Sequence, residues 1–474
     1  MPPESSPGFV DPMSQAAKIR FRRALVLMAM TLVLPGSAQL VAGSRRTGRI
    51  AMRVWMALIA ALVLFAVIGL LFHSFVFAFF TNTLVLGAIR YGLMALALGW
   101  AMLLIDAWRL GNPPQLLQRQ RLAMTGLNGV LVFGVAGALL FASHIVTVQK
   151  NFISTMFGGR APSAAVDGRY NVLLLGGDSG ASRWGMRPDS INVASIDEET
   201  GQTILFGLPR NLTNFKFAEG SRMAEHFPQG YNCGPECELN SLATWAGDHR
   251  EVFKGVSNPA VEATTEAVEG ITGLKINYYA MVNMQGFKKL VDAVGGVKLL
   301  VRDRIPIGGG NDVITEYVEP GHRKLNGFET LWFARSRKSG DDYSRMARQK
   351  CVMTAMLTQL KPQTVLMSFE DIAQAGTELL STDLPQSEVG RFMDLALKAR
   401  SKPVKSVSFV PPAINTSNPD LDKIRAMVDN AINPPAKAKQ KPKKVQSSGT
   451  TGGSIGSLRE GYAANESADV GSAC

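Results

Sequence analysis

Four apolar stretches, near residues 24–43, 54–80, 84–108 and 122–148, dominate the first third of the chain. Each is close to or longer than the roughly 20 residues that cross a bilayer as a helix. Backbone placed in hydrocarbon must satisfy its own hydrogen bonds, so this region is expected to be helical and embedded in a membrane. Four complete spans would return residue 150 to the side of the N-terminus, but the charges favour three. The first stretch, ALVLMAMTLVLPGSAQLVAG, follows Lys18, Arg20, Arg22 and Arg23 and precedes Arg45, Arg46 and Arg49, with Pro35-Gly36 midway. Cytoplasmic loops are the ones enriched in Lys and Arg, so both flanks read as cytoplasmic and the stretch as a re-entrant or interfacial hairpin. The uncharged loop near 81–83 suits the outside, and the loop 109–121, with Arg109, Arg119 and Arg121, suits the cytoplasm. The expected order is a cytoplasmic segment (1–23) and a membrane region (24–150) holding the hairpin and three transmembrane helices. The remainder would lie outside the cell, giving a multi-pass cell-membrane protein. A cleavable leader is not expected, because the first apolar run lacks an A-x-A site and further apolar runs follow it.

The chain is basic, with net charge +12 and a pI near 9.6. Such a balance suits a nucleic-acid binder, a phosphate binder or a membrane protein with positive inner loops. Here the cations sit at the ends of apolar segments and in a tail run, KAKQKPKK (437–444), with no basic stripe interleaved with aromatics. A nucleic-acid partner is therefore not expected. Four cysteines in 474 residues rule out a disulfide-stapled scaffold. Cys233 and Cys237, in YNCGPECELN, read as a local disulfide; Cys351 reads as a buried thiol and Cys474 as incidental. His226, His249 and His322 show no paired spacing and read as structural or solvated.

From Tyr170 onward the pattern becomes α/β. YNVLLLGGD, DSINVASID, QTILFGLPR, INYYAMVN and VKLLV read as strands, and VEATTEAVEGITG, MQGFKKLVDAVGG and MARQKCVMTAMLTQL as helices. FETLWFARSR reads as a helix running into a strand, with Arg335 and Arg337 alternating onto one strand face. Residues 165–433 are thus expected to form one domain with a central, mainly mixed sheet flanked by helices. Residues 434–474, rich in Pro and Lys and then in Gly, Ser and Thr, read as a disordered tail.

Charged residues gather where these elements end. Asp178 closes VLLLGGD, Arg187 and Asp189 flank Pro188 ahead of the next strand, and Arg210 ends the third. Ligands of open α/β sheets bind at strand termini. Arg335, Arg337, Arg345 and Gln349 add to the set, with Arg345, Arg348 and Gln349 at helical spacing. Any one arginine is most simply solvated or ion-paired, and Lys338, Lys350 and Arg348 read that way. Several at element ends beside carboxylates point to phosphate, whose oxygens match the guanidinium fork. Two aspartates suit Mg²⁺, which takes one or two carboxylates plus substrate phosphates. A metal-bound diphosphate is the expected ligand.

In order, the runs NVLLLGGDSG, RPDSINVASID, LPRN, INYYAMVNMQGFKKLVDAVGGVKL, PGHRKLNGFETLWFARSR and DDYSRMARQ resemble the LytR–CpsA–Psr family of cell-wall glycopolymer ligases over about residues 168–400. The resemblance implies a membrane-anchored phosphotransferase that moves a glycopolymer from a polyprenyl-diphosphate carrier to peptidoglycan, with Mg²⁺. It implies Asp178 and Asp189 as metal carboxylates, and Arg187, Arg210, Arg335, Arg337, Arg345 and Gln349 as the diphosphate clamp. Arg187 and Arg210 would also serve catalysis. Asp342 would be either the base for the acceptor hydroxyl or an ion-pair partner that orients Arg345, and Asn240 falls where the family has an asparagine near the site. Actinobacterial members resemble the chain most in wording, which implies an arabinogalactan-type polymer and muramic acid. Asn211 departs from the family's usual aspartate, and no extra C-terminal domain is visible. Two other readings use the same residues: a polyprenyl-diphosphate hydrolase, and a non-enzymatic membrane-anchored envelope regulator.

Overall fold

Pro35 and Gly36 break the first apolar stretch into α1 (Pro12–Val33) and α2 (Ser37–Ala42), with Gly36 in the left-handed region at φ 96°. A side chain there would meet the Gly48 carbonyl at 2.7 Å, so the turn packs directly on the next helix. Then follow α3 (Arg45–Leu71), α4 (His73–Thr81), α5 (Thr83–Leu110) and α6 (Gln118–Met156). Two polar side chains bond from one helix to another: Gln39 Nε2 donates to the Leu103 carbonyl at 3.0 Å and Trp100 Nε1 to that of Thr31 at 3.2 Å. Three helices among the described residues are long and apolar enough to cross a membrane, Arg45–Leu71, Thr83–Gln115 and Gln118–Thr155; the interrupted first stretch is not one of them.

This computed structural model describes residues 12–71, 73–157, 161–178, 187–234, 236–308, 313–337, 341–359, 380–434 and 465–474. They divide into two units, Met1–Asn151 and Phe152–Cys474.

The second unit is built on a six-stranded sheet made from β1 (Arg169–Asp178), β2 (Arg187–Asp197), β3 (Thr203–Leu208), β4 (Tyr278–Asn283), β9 (Leu380–Thr382) and β10 (Lys405–Ser408). Its order is β10-β3-β2-β1-β4-β9. The β1/β2, β2/β3 and β4/β9 pairs are antiparallel and the β1/β4 and β3/β10 pairs parallel, so the sheet is mixed. Successive strand residues face opposite sides. Leu173, Leu175, Ile191, Val193 and Phe206 therefore pack on one layer, formed by α7 (Arg222–His226), α8 (Leu242–Asp248), α9 (Pro259–Thr272) and, later in the chain, α14 (Leu421–Ile432). Leu174, Ala194 and Leu205 face the other way, against α12 (Asp342–Gln359).

Between β4 and α12 the chain forms α10 (Met284–Ala293) and two ribbons, β5 (Val297–Val301) with β8 (Gly321–Leu325) and β6 (Ile305–Gly308) with β7 (Ile314–Val318). α11 (Gly327–Arg335) starts with a capping box between Asn326 and Glu329. α13 (Gln386–Ala399) precedes β10, and α15 (Val470–Ala473) ends the chain.

Three expectations need correction. FETLWFARSR contains no strand: α11 runs through Arg335, and Ser336 and Arg337 follow as irregular chain, so the two arginines do not share a strand face. Within the tail, 435–464 lie outside the described residues, but 465–474 pack onto the domain rather than being disordered. Ser467 bridges Ser406 of β10, Val470 is fully buried and the Val470 N–H donates to the Val404 carbonyl at 2.9 Å. Cys351 and Cys474 are neither a free thiol nor incidental. They form a disulfide with Cα atoms 5.6 Å apart, while Cys233 and Cys237 form the other one.

The Cys351–Cys474 bond joins positions 123 residues apart, and cross-links that close long loops remove the most unfolded-chain entropy. Cys474→Ser is expected to destabilise the oxidised protein by about 2–4 kcal/mol, read as a lower melting temperature that converges with wild type under reductant. Equal melting temperatures without reductant would contradict the bond.

Candidate active site

Antiparallel pairing of β2 with β3 sets Ile191 opposite Leu208, so the start of β2 and the residues just after β3 lie side by side. Asp189 and Arg210 meet there, with Arg210 Nη1 at 2.8 Å from Asp189 Oδ1. The first turn of α12 brings Asp342 and Arg345 to the same place, and Arg337 arrives from the segment after α11. Arg337 Nη2 lies 3.2 Å and Arg345 Nη1 3.9 Å from Asp189 Oδ1, and Arg345 Nη2 donates to the Asp189 carbonyl at 3.0 Å. Asp342 receives the same three cations from the other side: Arg345 at 3.0 Å, Arg210 at 3.4 Å and Arg337 at 3.7 Å.

Three guanidiniums thus share two carboxylates, which leaves an excess of one positive charge before any ligand arrives. Burial by itself would raise the pKa of Asp189, but Arg345, Arg210 and Arg337 outweigh it and hold the carboxyl below the usual range. Burial lowers the Arg345 guanidinium to about 10, with Asp342 opposing, so it stays charged at neutral pH. Its Nε and Nη1 atoms are buried without a hydrogen-bond partner among the described residues. Such donors are uncommon in folded proteins.

Around this centre, Arg187 Nη2 donates to Asn240 Oδ1 at 3.0 Å and lies 3.8 Å from Glu238; the Asn240 N–H donates to the Arg210 carbonyl at 3.0 Å. Asp189, Arg335, Arg345 and Gln349 line a cavity of about 290 Å³, whose lining is otherwise largely apolar and includes Leu174, Met281, Phe287, Val352 and Met356. Gln349 Nε2 donates to the Ala334 carbonyl at 3.2 Å, and Arg335 lies 5.6 Å from the Trp332 ring. The main chain of Asp178 pairs with that of Arg187; its side chain lies outside what is described. Every ion pair or hydrogen bond described for the Asp189 carboxylate falls on Oδ1. Among the described residues no group of three or more His, Cys, Asp or Glu is arranged to hold a metal, so any ion there would need ligand phosphates as well.

Two cations of α12 that read as solvated are fully buried instead. Arg348 Nη2 donates to the Ser336 carbonyl, and Ser336 Oγ donates to that of Pro306 at 2.8 Å, so Arg348 secures the segment that carries Arg337. Burial lowers Arg348 to about 10, and neighbouring Arg345 adds to this. Lys350 turns to the sheet, donating to Ser406 Oγ at 2.6 Å, to Ser408 Oγ and to the Asn465 carbonyl. Helical spacing carried part of this: Ala347, Cys351 and Val352 define a buried stripe that Arg348 adjoins. For Lys350 the partners come from β10 and residue 465, far along the chain. Lys338 lies outside the described residues.

The chain belongs to the LytR_cpsA_psr family, whose model matches residues 144–421. It is 24% identical over 275 residues to biofilm regulatory protein A of Streptococcus mutans, covering 55% of this chain and 63% of that protein. It is 28% identical over 227 residues to the polyisoprenyl-teichoic acid–peptidoglycan teichoic acid transferase TagU of Bacillus mycoides, covering 46% and 62%. The crystal structure of TagV from B. subtilis aligns with a TM-score of 0.41 at 22% identity, over 56% of this chain and 97% of that one. The chain spans less than two thirds of the length of these curated relatives.

Burial lowers the Lys350 ammonium to about 7, with Glu466 opposing, against ~10.4 in an unfolded chain. The folded state then binds the proton less tightly. Stability rises as pH climbs from about 7 toward 10, and the full cost is present below 7. Wild type minus Lys350→Met melting temperature, measured on the full chain in detergent, is expected to increase from pH 7 to pH 9. Parallel curves would show that Lys350 does not titrate in this way.

Proposed function

We infer that the protein is a phosphotransferase that moves a glycopolymer from a polyprenyl-diphosphate carrier to peptidoglycan. The observation that carries this reading is the junction of a guanidinium–carboxylate cluster with an apolar cavity, since Asp189 and Arg345 belong to both. A ligand with a diphosphate head and a hydrocarbon tail has the matching polarity. The printed name of TagU, a transferase of polyisoprenyl-linked teichoic acid to peptidoglycan, agrees in class.

Arg210, Arg337 and Arg345 would bind the diphosphate oxygens, with Arg187 and Arg335 completing the clamp and Gln349 donating beside them. The acceptor hydroxyl attacks the sugar-linked phosphorus, a new P–O bond forms, and the bond to the bridging oxygen breaks to release the lipid phosphate. Asp342, 3.0 Å from Arg345, takes the proton from the attacking hydroxyl. The guanidiniums offset charge as it moves to the leaving phosphate. Asp178 and Asp189 would hold Mg²⁺ together with phosphate oxygens, and the ion would neutralise further charge on the diphosphate. An arabinogalactan-type polymer joined to muramic acid is the pairing we assign. From a cytoplasmic start, three spans would carry this unit outside the cell, to the side of peptidoglycan.

Arg187→Ala and Asp189→Asn are expected to lower transfer from a lipid-diphosphate oligosaccharide at least ~100-fold. Arg187 is half exposed, so its variant should melt like wild type. Release of lipid phosphate should depend on an acceptor glycan; equal release in water alone would make the protein a hydrolase. A protease-accessibility or reporter assay should place residue 300 outside the cell, and an inside result would overturn the topology.

A further inference from the structure

A second concave site lies on α12, away from the diphosphate cluster. The β5/β8 ribbon forms one wall and α12 the other, enclosing about 470 Å³, within the ~300–1,000 Å³ usual for ligand sites. Its lining shares no residue with the apolar cavity. Thr354 is nine residues beyond Arg345, about 14 Å along the helix axis.

The ribbon wall is cationic. Antiparallel register sets Lys298 directly opposite Lys324, with Arg323 opposite Leu299 and His322 opposite Leu300. Like charges paired across two strands are destabilising, and neither Lys298, Arg323 nor Lys324 forms an ion pair among the described residues. All three are exposed. The helix wall supplies Thr354, Ala355 and Thr358. Thr354 is only 5% exposed, yet its hydroxyl has no hydrogen-bond partner among the described residues. A buried hydroxyl left unpaired costs free energy unless a ligand satisfies it. The walls are fixed to one another: Gln359 Oε1 accepts from the Lys298 N–H at 2.8 Å, and Gln359 Nε2 donates to the Lys298 carbonyl at 2.7 Å. Gly471 and Cys474 line the same groove, and the Cys351–Cys474 disulfide holds them to α12.

We propose that this groove binds a segment of anionic saccharide. Lys298 and Lys324, paired on one strand face, suit a phosphate or carboxylate group, with Arg323 at the neighbouring register position, and the Thr354 hydroxyl, unpaired among the described residues, suits a sugar oxygen. A site enclosed by two walls favours a saccharide over a flat lipid-headgroup surface. The inference goes beyond the transfer reading and does not depend on it. If transfer also holds, the groove retains part of the wall polymer remote from the bond being exchanged.

The test is calorimetric titration of the full chain in detergent with hexagalacturonate at low salt. Wild type should bind, and Arg323→Glu/Lys324→Glu, at two exposed positions, should bind at least tenfold more weakly while melting normally. Thr354→Val should also weaken binding, whereas Arg187→Ala, at the other site, should bind like wild type. Uncharged maltohexaose should not bind. Absence of hexagalacturonate binding to wild type, or equal binding by the double variant, overturns the proposal. So does tight binding of glycerol 1-phosphate, a headgroup mimic, lost in the same variants, because the groove would then be a simple phosphate pocket. Lipid-diphosphate transfer by the double variant on a short acceptor should stay at wild-type level, so failure of the groove and failure of the transfer reading are separately visible.

Discussion

Mutual repulsion among Arg210, Arg337 and Arg345 is the force that the site's architecture must overcome. The three reach Asp189 from the end of β3, the segment after α11 and the first turn of α12. Their convergence is tolerable because Asp189 and Asp342 lie between them, each touching all three. Removing one partner of a buried pair leaves an uncompensated charge, which is far costlier than the pair itself is stabilising. The two aspartates therefore hold the cluster together, and they leave it with a surplus positive charge. Arg345, at 1% exposure, is the member for which this matters most.

The interior behind the cluster follows from strand periodicity. One face of the sheet closes the main core with α9 and α14, and the other gives apolar side chains to the cavity and to α12. α12 ties these regions together, because it carries cluster and cavity residues along one face and groove residues along another of a single 18-residue helix.

Much of this was legible in the residues. Short apolar runs marked β1 to β4, a closing glycine marked the end of α9, and apolar length together with charge picked out three long apolar helices. The α/β class and mixed sheet followed from element order. The misreadings share one cause, which is dependence on partners distant in sequence. Arg335 and Arg337 alternate over too few residues for periodicity to separate a strand from a helix end. Lys350 looks like any charged helix residue until Ser406, Ser408 and Asn465 are placed around it. Cys474 stands 123 residues from Cys351, beyond a Gly/Ser-rich run that local composition reads as unstructured. In the site, residue types were visible in the sequence, whereas the sharing of Asp342 among three arginines needed coordinates.

The last ten residues also change what the sheet presents to its neighbours. β10 is an outermost strand, and an outermost strand offers unpaired N–H and C=O groups to any extended chain nearby. Ser467 occupies Ser406 from that side with two main-chain hydrogen bonds of 2.8 and 3.1 Å, and β9 at the opposite margin is only three residues long. Both margins of the sheet are thereby blunted, one by a borrowed segment and one by brevity. Stray strands find little backbone to join at either margin, so association through the sheet is left to side-chain chemistry.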